Sequence, residues 1–124
     1  DMLLTLGVSP HLQGFEMLRH GAMYLLKSDA AADIRIMYEL YPAVAKATGT
    51  NVSIVEHAMR HAIEVAWMRA DLNALDAFFG YTTRDNKPTP SNSAFLFTLA
   101  ERVRMRLNGI STDSIAKELR RYEG

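Results

Sequence analysis

The chain contains no cysteine. Disulfide frameworks, thiolate metal sites and cysteine nucleophiles are thereby excluded, and a cytoplasmic setting is the expected one. It has no net charge either, because 14 Lys and Arg balance 14 Asp and Glu. No apolar run approaches the ~18 residues that a membrane span requires, and no signal-peptide pattern opens the sequence. There is no glycine-rich phosphate loop, no serine in an elbow-like turn and no pair of carboxylates in an evident cleft. An enzyme is therefore not expected, nor a cofactor. Internal repeats and strand-like alternation are missing as well.

What remains is a chain of 124 residues with 48% apolar content, enough for one buried core and for a single domain over residues 1–124. The expected fold class is all-α, a compact domain of about six or seven helices. Residues 1–6 read as a helical stub closed at Gly7, and Ser9-Pro10 as the opening of a helix from His11 to about Lys27. That helix carries Phe15, Leu18, Ala22, Leu25 and Leu26 at helical spacing. A loop or short helix follows at 29–33. Asp71 or Asn73 can cap a short helix ending at Phe79-Gly80, and 82–92 reads as the longest loop. Phe95, Leu96, Leu99, Val103 and Leu107 then trace another apolar stripe up to Asn108-Gly109. A last amphipathic helix is expected over 114–122.

The most informative stretch is 41–69. In a helix-turn-helix the first helix needs a very small residue where the second crosses it, and Ala45 is one. Four residues on, the chain must turn sharply, which favours the positive φ open to glycine, and Gly49 stands there. Six residues further, Val55 returns a branched apolar side chain into the angle between the helices, supported by Val44. Pro42 suits a first helical turn, so Leu40-Tyr41-Pro42 reads as a helix start. Thr50 or Asn51 can cap the second helix, and Ser53 with Glu56 offers an alternative capping box. Stepping 100° per residue from Val55 places Val52, Met59, Ala62, Ile63 and Ala66 on the buried side. The opposite side holds Ser53, Ile54, His57, Arg60, His61, Glu64 and Met68, with Asn51 at the tip and Glu56 on the flank. Trp67 reads as an anchor to the core. Recognition helices read base edges with their N-terminal residues, so Asn51, Ser53, Ile54, Glu56, His57 and Arg60 are the expected readers and His61 a phosphate contact.

Four segments carry a resemblance as well as a pattern: R-H-A-I-E-V-A-W at 60–67, F-G-Y-T at 79–82, K-P-T-P-S-N-S-A-F at 87–95 and G-V-S-P-H-L-Q-G-F at 7–15. Together they resemble the C-terminal DNA-binding domain of the stage-zero sporulation protein A family, a response regulator of endospore formation, over about residues 2–107. The resemblance implies an all-helical effector domain that binds a short DNA element as a transcription regulator, with the same recognition helix. It places Ser53, Glu56, Arg60 and His61 at or near DNA. Ile54 and His57 depart from it, standing where the family generally carries arginine. Isoleucine can offer only a methyl contact to thymine where arginine would read guanine, so the family's usual target sequence is not expected. The resemblance further implies a sigma-factor surface at Phe79, Gly80, Tyr81 and Thr82, paired domains on tandem DNA sites, and a receiver domain preceding this one. The helix at 114–122 lies outside it.

Zero net charge counts against DNA binding, but the charges are unevenly spread. Residues 87–121 hold seven basic side chains (Lys87, Arg102, Arg104, Arg106, Lys117, Arg120, Arg121) against three acidic ones, whereas the first forty residues are acidic. Lys87 opens that basic segment and joins the candidate DNA contacts. Arg102, Arg104 and Arg106 read equally as a solvated helix face or as a phosphate rail. Two other readings compete with DNA regulation. One is a helical protein-interaction module with weakened DNA binding. The other is a metal protein using His57, His61 and Glu64, although no second helix offers a further ligand and no metal site is expected.

Overall fold

The computed structural model describes residues 2–5, 8–28, 34–69 and 89–108. Within them the chain forms a four-residue helix α1 (Met2–Thr5) and four longer helices: α2 (Gln13–Lys27), α3 (Met37–Thr48), α4 (Val52–Arg69) and α5 (Asn92–Leu107). A 3-10 turn, Ile34–Ile36, leads directly into α3. No strand occurs among the described residues, so the all-α expectation holds, while the count of six or seven helices is not supported. The helices expected before Phe79-Gly80 and over 114–122 lie outside the described residues.

Helix α2 is the centre of the packing and meets α3, α4 and α5. Its Phe15, Met17, Leu18, Ala22 and Leu25 are buried in one cluster with Leu40 and Val44 of α3, Val55, Met59 and Ile63 of α4, and Phe95, Leu96 and Leu99 of α5. The α2–α4 crossing is so close that a side chain at Gly14 has no room. A Cβ there would lie 2.7 Å from the Ala62 Cβ and closer still to the Ala58 carbonyl oxygen. Small residues on both helices therefore let the two backbones approach closely at this crossing.

The far end of α2 is held by α5. Arg104 Nη2 donates to the Leu25 carbonyl at 2.6 Å and to the Ser28 carbonyl at 3.3 Å, which satisfies carbonyls at the C-terminus of α2 with a cation of the sign that the helix dipole favours there. Arg104 is thus turned inward onto α2, and the three arginines do not form a single phosphate rail. Leu107 is exposed, because the last turn of α5 runs past the core.

Three local expectations need correction. Helix α2 starts at Gln13, not at His11. Ser9 organises only the preceding turn, accepting from the Leu12 N–H through its carbonyl and from the His11 N–H through its hydroxyl, and the extended ψ of 139° at Leu12 separates that turn from the helix. Pro42 does not start α3 but lies inside it. The bond it removes is the one to the Tyr38 carbonyl, one turn from the start of the helix and beside a residue that is 82% exposed, where water can replace the lost donor. Val52, expected on the buried stripe, is 39% exposed: as the first residue of α4 it lines an open hollow with Met37, Tyr38, Tyr41 and Pro42 of α3.

The motif itself folds as expected. Gly49 ends α3 in the left-handed region (φ 71°, ψ 35°), and its N–H and that of Thr50 both bond to the Ala45 carbonyl. Gly14→Ala is expected to cost about 1–3 kcal/mol by overpacking the helix crossing. Gly49→Ala, with open space around the new methyl, should cost about 1–2 kcal/mol from backbone strain alone. Urea midpoints at unchanged m-value measure both.

Candidate nucleic-acid interface

The turn at Gly49 delivers Asn51 to the tip of α4. Its Oδ1 accepts the Ile54 N–H at 3.0 Å and its carbonyl accepts the Val55 N–H at 3.1 Å. Asn51 is therefore the cap of α4, and the Ser53–Glu56 capping box is not formed because both residues already lie within the helix. From this cap the helix advances with Val55, Met59, Ala62, Ile63 and Ala66 buried, and Trp67 packed partly against the core. The other side follows by geometry. Ser53, Ile54, His57, Arg60, His61, Glu64 and Met68 are exposed, and Glu56 is half-buried.

This ridge has a depression on each flank. On one side Gln13, the first residue of α2, joins Ser53, Ile54, His57, Ala58 and His61 around a shallow groove of about 460 Å³. On the other, a cleft of about 340 Å³ separates α4 from the start of α5, with Tyr41, Glu56, Arg60 and Glu64 on one wall and Thr89, Pro90, Ser91, Asn92 and Ser93 on the other. Within that cleft Arg60 Nη2 lies 2.9 Å from Glu56 Oε1, both side chains being about half exposed. Such a surface pair one helical turn apart contributes about 0.3–0.5 kcal/mol, little enough for the guanidinium to leave it for a stronger partner.

The cleft is bridged at its floor. The buried Asn92 donates through Nδ2 to the Glu56 carbonyl at 3.1 Å and to the Tyr41 hydroxyl at 3.2 Å. One amide thus ties the start of α5 to both helices of the motif, and its own Oδ1 has no hydrogen-bond partner among the described residues. Ser91 caps α5, its hydroxyl accepting the Ala94 N–H at 3.2 Å. Burial raises the Tyr41 hydroxyl above its ordinary pKa of 10.0. The Asn92 hydrogen bond lowers it, the Glu56 charge raises it again and Arg60 lowers it, and the net shift is upward.

Most of the residues expected from the sequence therefore do come together. Asn51, Ser53, Ile54, Glu56, His57, Arg60 and His61 share one ridge. Lys87, Phe79, Gly80, Tyr81 and Thr82 lie outside the described residues. Among the described residues no three His, Cys, Asp or Glu side chains stand close enough to hold a metal ion, and His57, His61 and Glu64 are exposed on the surface of α4. The same residues hold no helix long and apolar enough to cross a membrane. Sequence reasoning missed Gln13, Tyr41 and Asn92 as parts of the site. The S-N-S-A run before an apolar stripe carried a capping signal for Ser91, but nothing near Asn92 in sequence announces a partner 36 residues away.

A tight left-handed corner, a buried stripe and an exposed polar ridge opposite it define a helix-turn-helix domain. Residues 1–103 match the family described as sporulation initiation factor Spo0A C terminal, and the chain belongs to that family. This is the DNA-binding effector domain of sporulation response regulators.

Two substitutions test the bridge. Asn92→Ala is expected to lower stability by about 1–3 kcal/mol, since it removes a buried bond from each motif helix. Tyr41→Phe removes a group whose folded pKa is raised. Its stabilising share is fully present below the unfolded value of about 10 and is lost as pH rises through the higher folded value. Urea midpoints between pH 8 and 11 should therefore fall less steeply for Tyr41→Phe than for the unaltered protein.

Proposed function

We propose that the chain is a sequence-specific transcription regulator that inserts the N-terminal half of α4 into the major groove of double-stranded DNA. The observation that carries this reading is the ridge itself: from Asn51 to His61 its polar side chains stand clear of the core while the opposite stripe is fully buried. In this arrangement Ser53, Ile54, Glu56, His57 and Arg60 face base edges. The Asn51 amide nitrogen and His61 face the flanking phosphates, and Lys87 contributes a further backbone contact. The residues Phe79, Gly80, Tyr81 and Thr82 serve as a sigma-factor surface, and two domains pair on tandem sites. The sigma-factor surface, the pairing on tandem sites and the roles of Ser53, Glu56, Arg60 and His61 follow the family resemblance, while Asn51, Ile54 and His57 enter through their place on the ridge.

A second reading has its own support. The protein carries no net positive charge, and an open apolar hollow beside the ridge is lined by Met37, Tyr38, Tyr41, Pro42 and Val52. These features suit a helical protein-interaction module with weak DNA affinity.

Selection from randomised duplexes, followed by titration across salt concentrations, separates the two. Enrichment of one motif with a salt-dependent affinity supports regulation, and weak binding that prefers no sequence supports the interaction module. On the enriched duplex, Arg60→Ala is expected to weaken binding by about 1–3 kcal/mol. Its thermal midpoint should hardly move, because only the surface pair with Glu56 is lost.

A further inference from the structure

At the N-terminal turn of α4 one polar acceptor is already engaged and one large exposed side chain is apolar. The Oδ1 of Asn51 is occupied by the Ile54 N–H, and the nearest guanidinium, on Arg60, is already joined to Glu56. Between them in sequence stands Ile54, an isoleucine 42% exposed that lines, with Ser53 and His57, the groove shared with Gln13. It is not part of the core cluster, to which its neighbours Val55 and Met59 belong. Its sec-butyl group is the large apolar side chain of the first turn that faces the same way as the polar readers.

Only one base presents an apolar feature in the major groove. Thymine carries its C5 methyl there, while cytosine offers an amino donor and the purines offer nitrogen and oxygen acceptors or an amino group. Packed against Ile54, any of those polar edges would lose water without gaining a hydrogen bond, whereas a methyl would bury apolar surface on both sides. From this geometry we infer that Ile54 is a specificity-determining residue that selects thymine by its C5 methyl group. The inference rests on the DNA-binding reading above and deepens it. Recognition at this position is by methyl burial, and a 5-methylcytosine in the same place would be favoured over plain cytosine for the same reason.

The test removes the methyl from the DNA instead of altering the protein. In the duplex enriched by selection, each thymine in turn is replaced by deoxyuridine, and affinity is measured for the unaltered protein and for Ile54→Ala. Burial of one methyl is worth about 0.8 kcal/mol, so one thymine position should show a loss of about fourfold with the unaltered protein. At that position Ile54→Ala should bind the thymine and uracil duplexes equally, and Ile54→Val should keep part of the discrimination. Replacing that thymine by cytosine should weaken binding, and 5-methylcytosine should recover part of the loss. An enriched duplex with no uracil-sensitive thymine, or with a sensitivity that survives in Ile54→Ala, overturns this inference and leaves the DNA-binding reading standing. Failure to enrich any duplex overturns both.

Discussion

Everything else in the fold is arranged around the contact between the backbones of α2 and α4. Because Gly14 lies against Ala58 and Ala62, the two helices approach to a distance that no side chain at position 14 would permit. Leu18 and Met17 of α2 are buried in the same cluster as the inner stripe of α4. Once Val55, Met59, Ala62, Ile63 and Ala66 are committed to that interior, the helical period leaves no freedom over what faces out. The exposed ridge is thus a consequence of helix packing, and its position relative to α3 follows from a single left-handed residue, Gly49.

The surroundings of the ridge are held by polar contacts that join distant parts of the chain. Asn92 ties α5 to the Glu56 carbonyl and the Tyr41 hydroxyl, and Arg104 ties α5 to the end of α2. One bridge lies under the ridge and the other at the opposite end of the bundle, so α5 braces the motif from behind. The charge pattern fits this division of labour. Arg104, which the sequence offered as a possible phosphate contact, instead holds the carbonyls at the end of α2 and lies 3.8 Å from Glu101, and Arg60 stays at the surface in a pair weak enough to exchange.

Particular elements show how much was legible beforehand. Ala45, Gly49 and Val55 are separated by four and six residues, and the requirements they meet, a small contact, a positive φ and an apolar return, are local ones. Their reading held. The cap of α4 was narrowed by residue type to Thr50, Asn51 or Ser53, and only the position of the first helical N–H groups selected Asn51. Pro42 misled because proline's preference for a first turn is a statistical statement, while the exposed Tyr38 region lets the helix tolerate it further in. Val52 misled because the helical period assigns a side but not a depth, and at the first residue of α4 that side opens onto a hollow against α3. The short helix before Phe79-Gly80 and the one over 114–122 lie outside the described residues.

The all-helical class, the corner at Gly49 and the membership of the exposed ridge on α4 were already written in the order of the residues. Each of these follows from interactions within a few residues of one another: hydrophobic period, backbone dihedral preference and capping. That Gly14 sits in a helix crossing, that Gln13 borders the ridge, that Asn92 reaches 36 residues back to Glu56 and that Arg104 reaches 79 residues back to Leu25 came from the packing of the helices alone. Those contacts depend on how helices stack, and a glycine, glutamine, asparagine or arginine looks the same in sequence whether it is pressed against a neighbour or open to water.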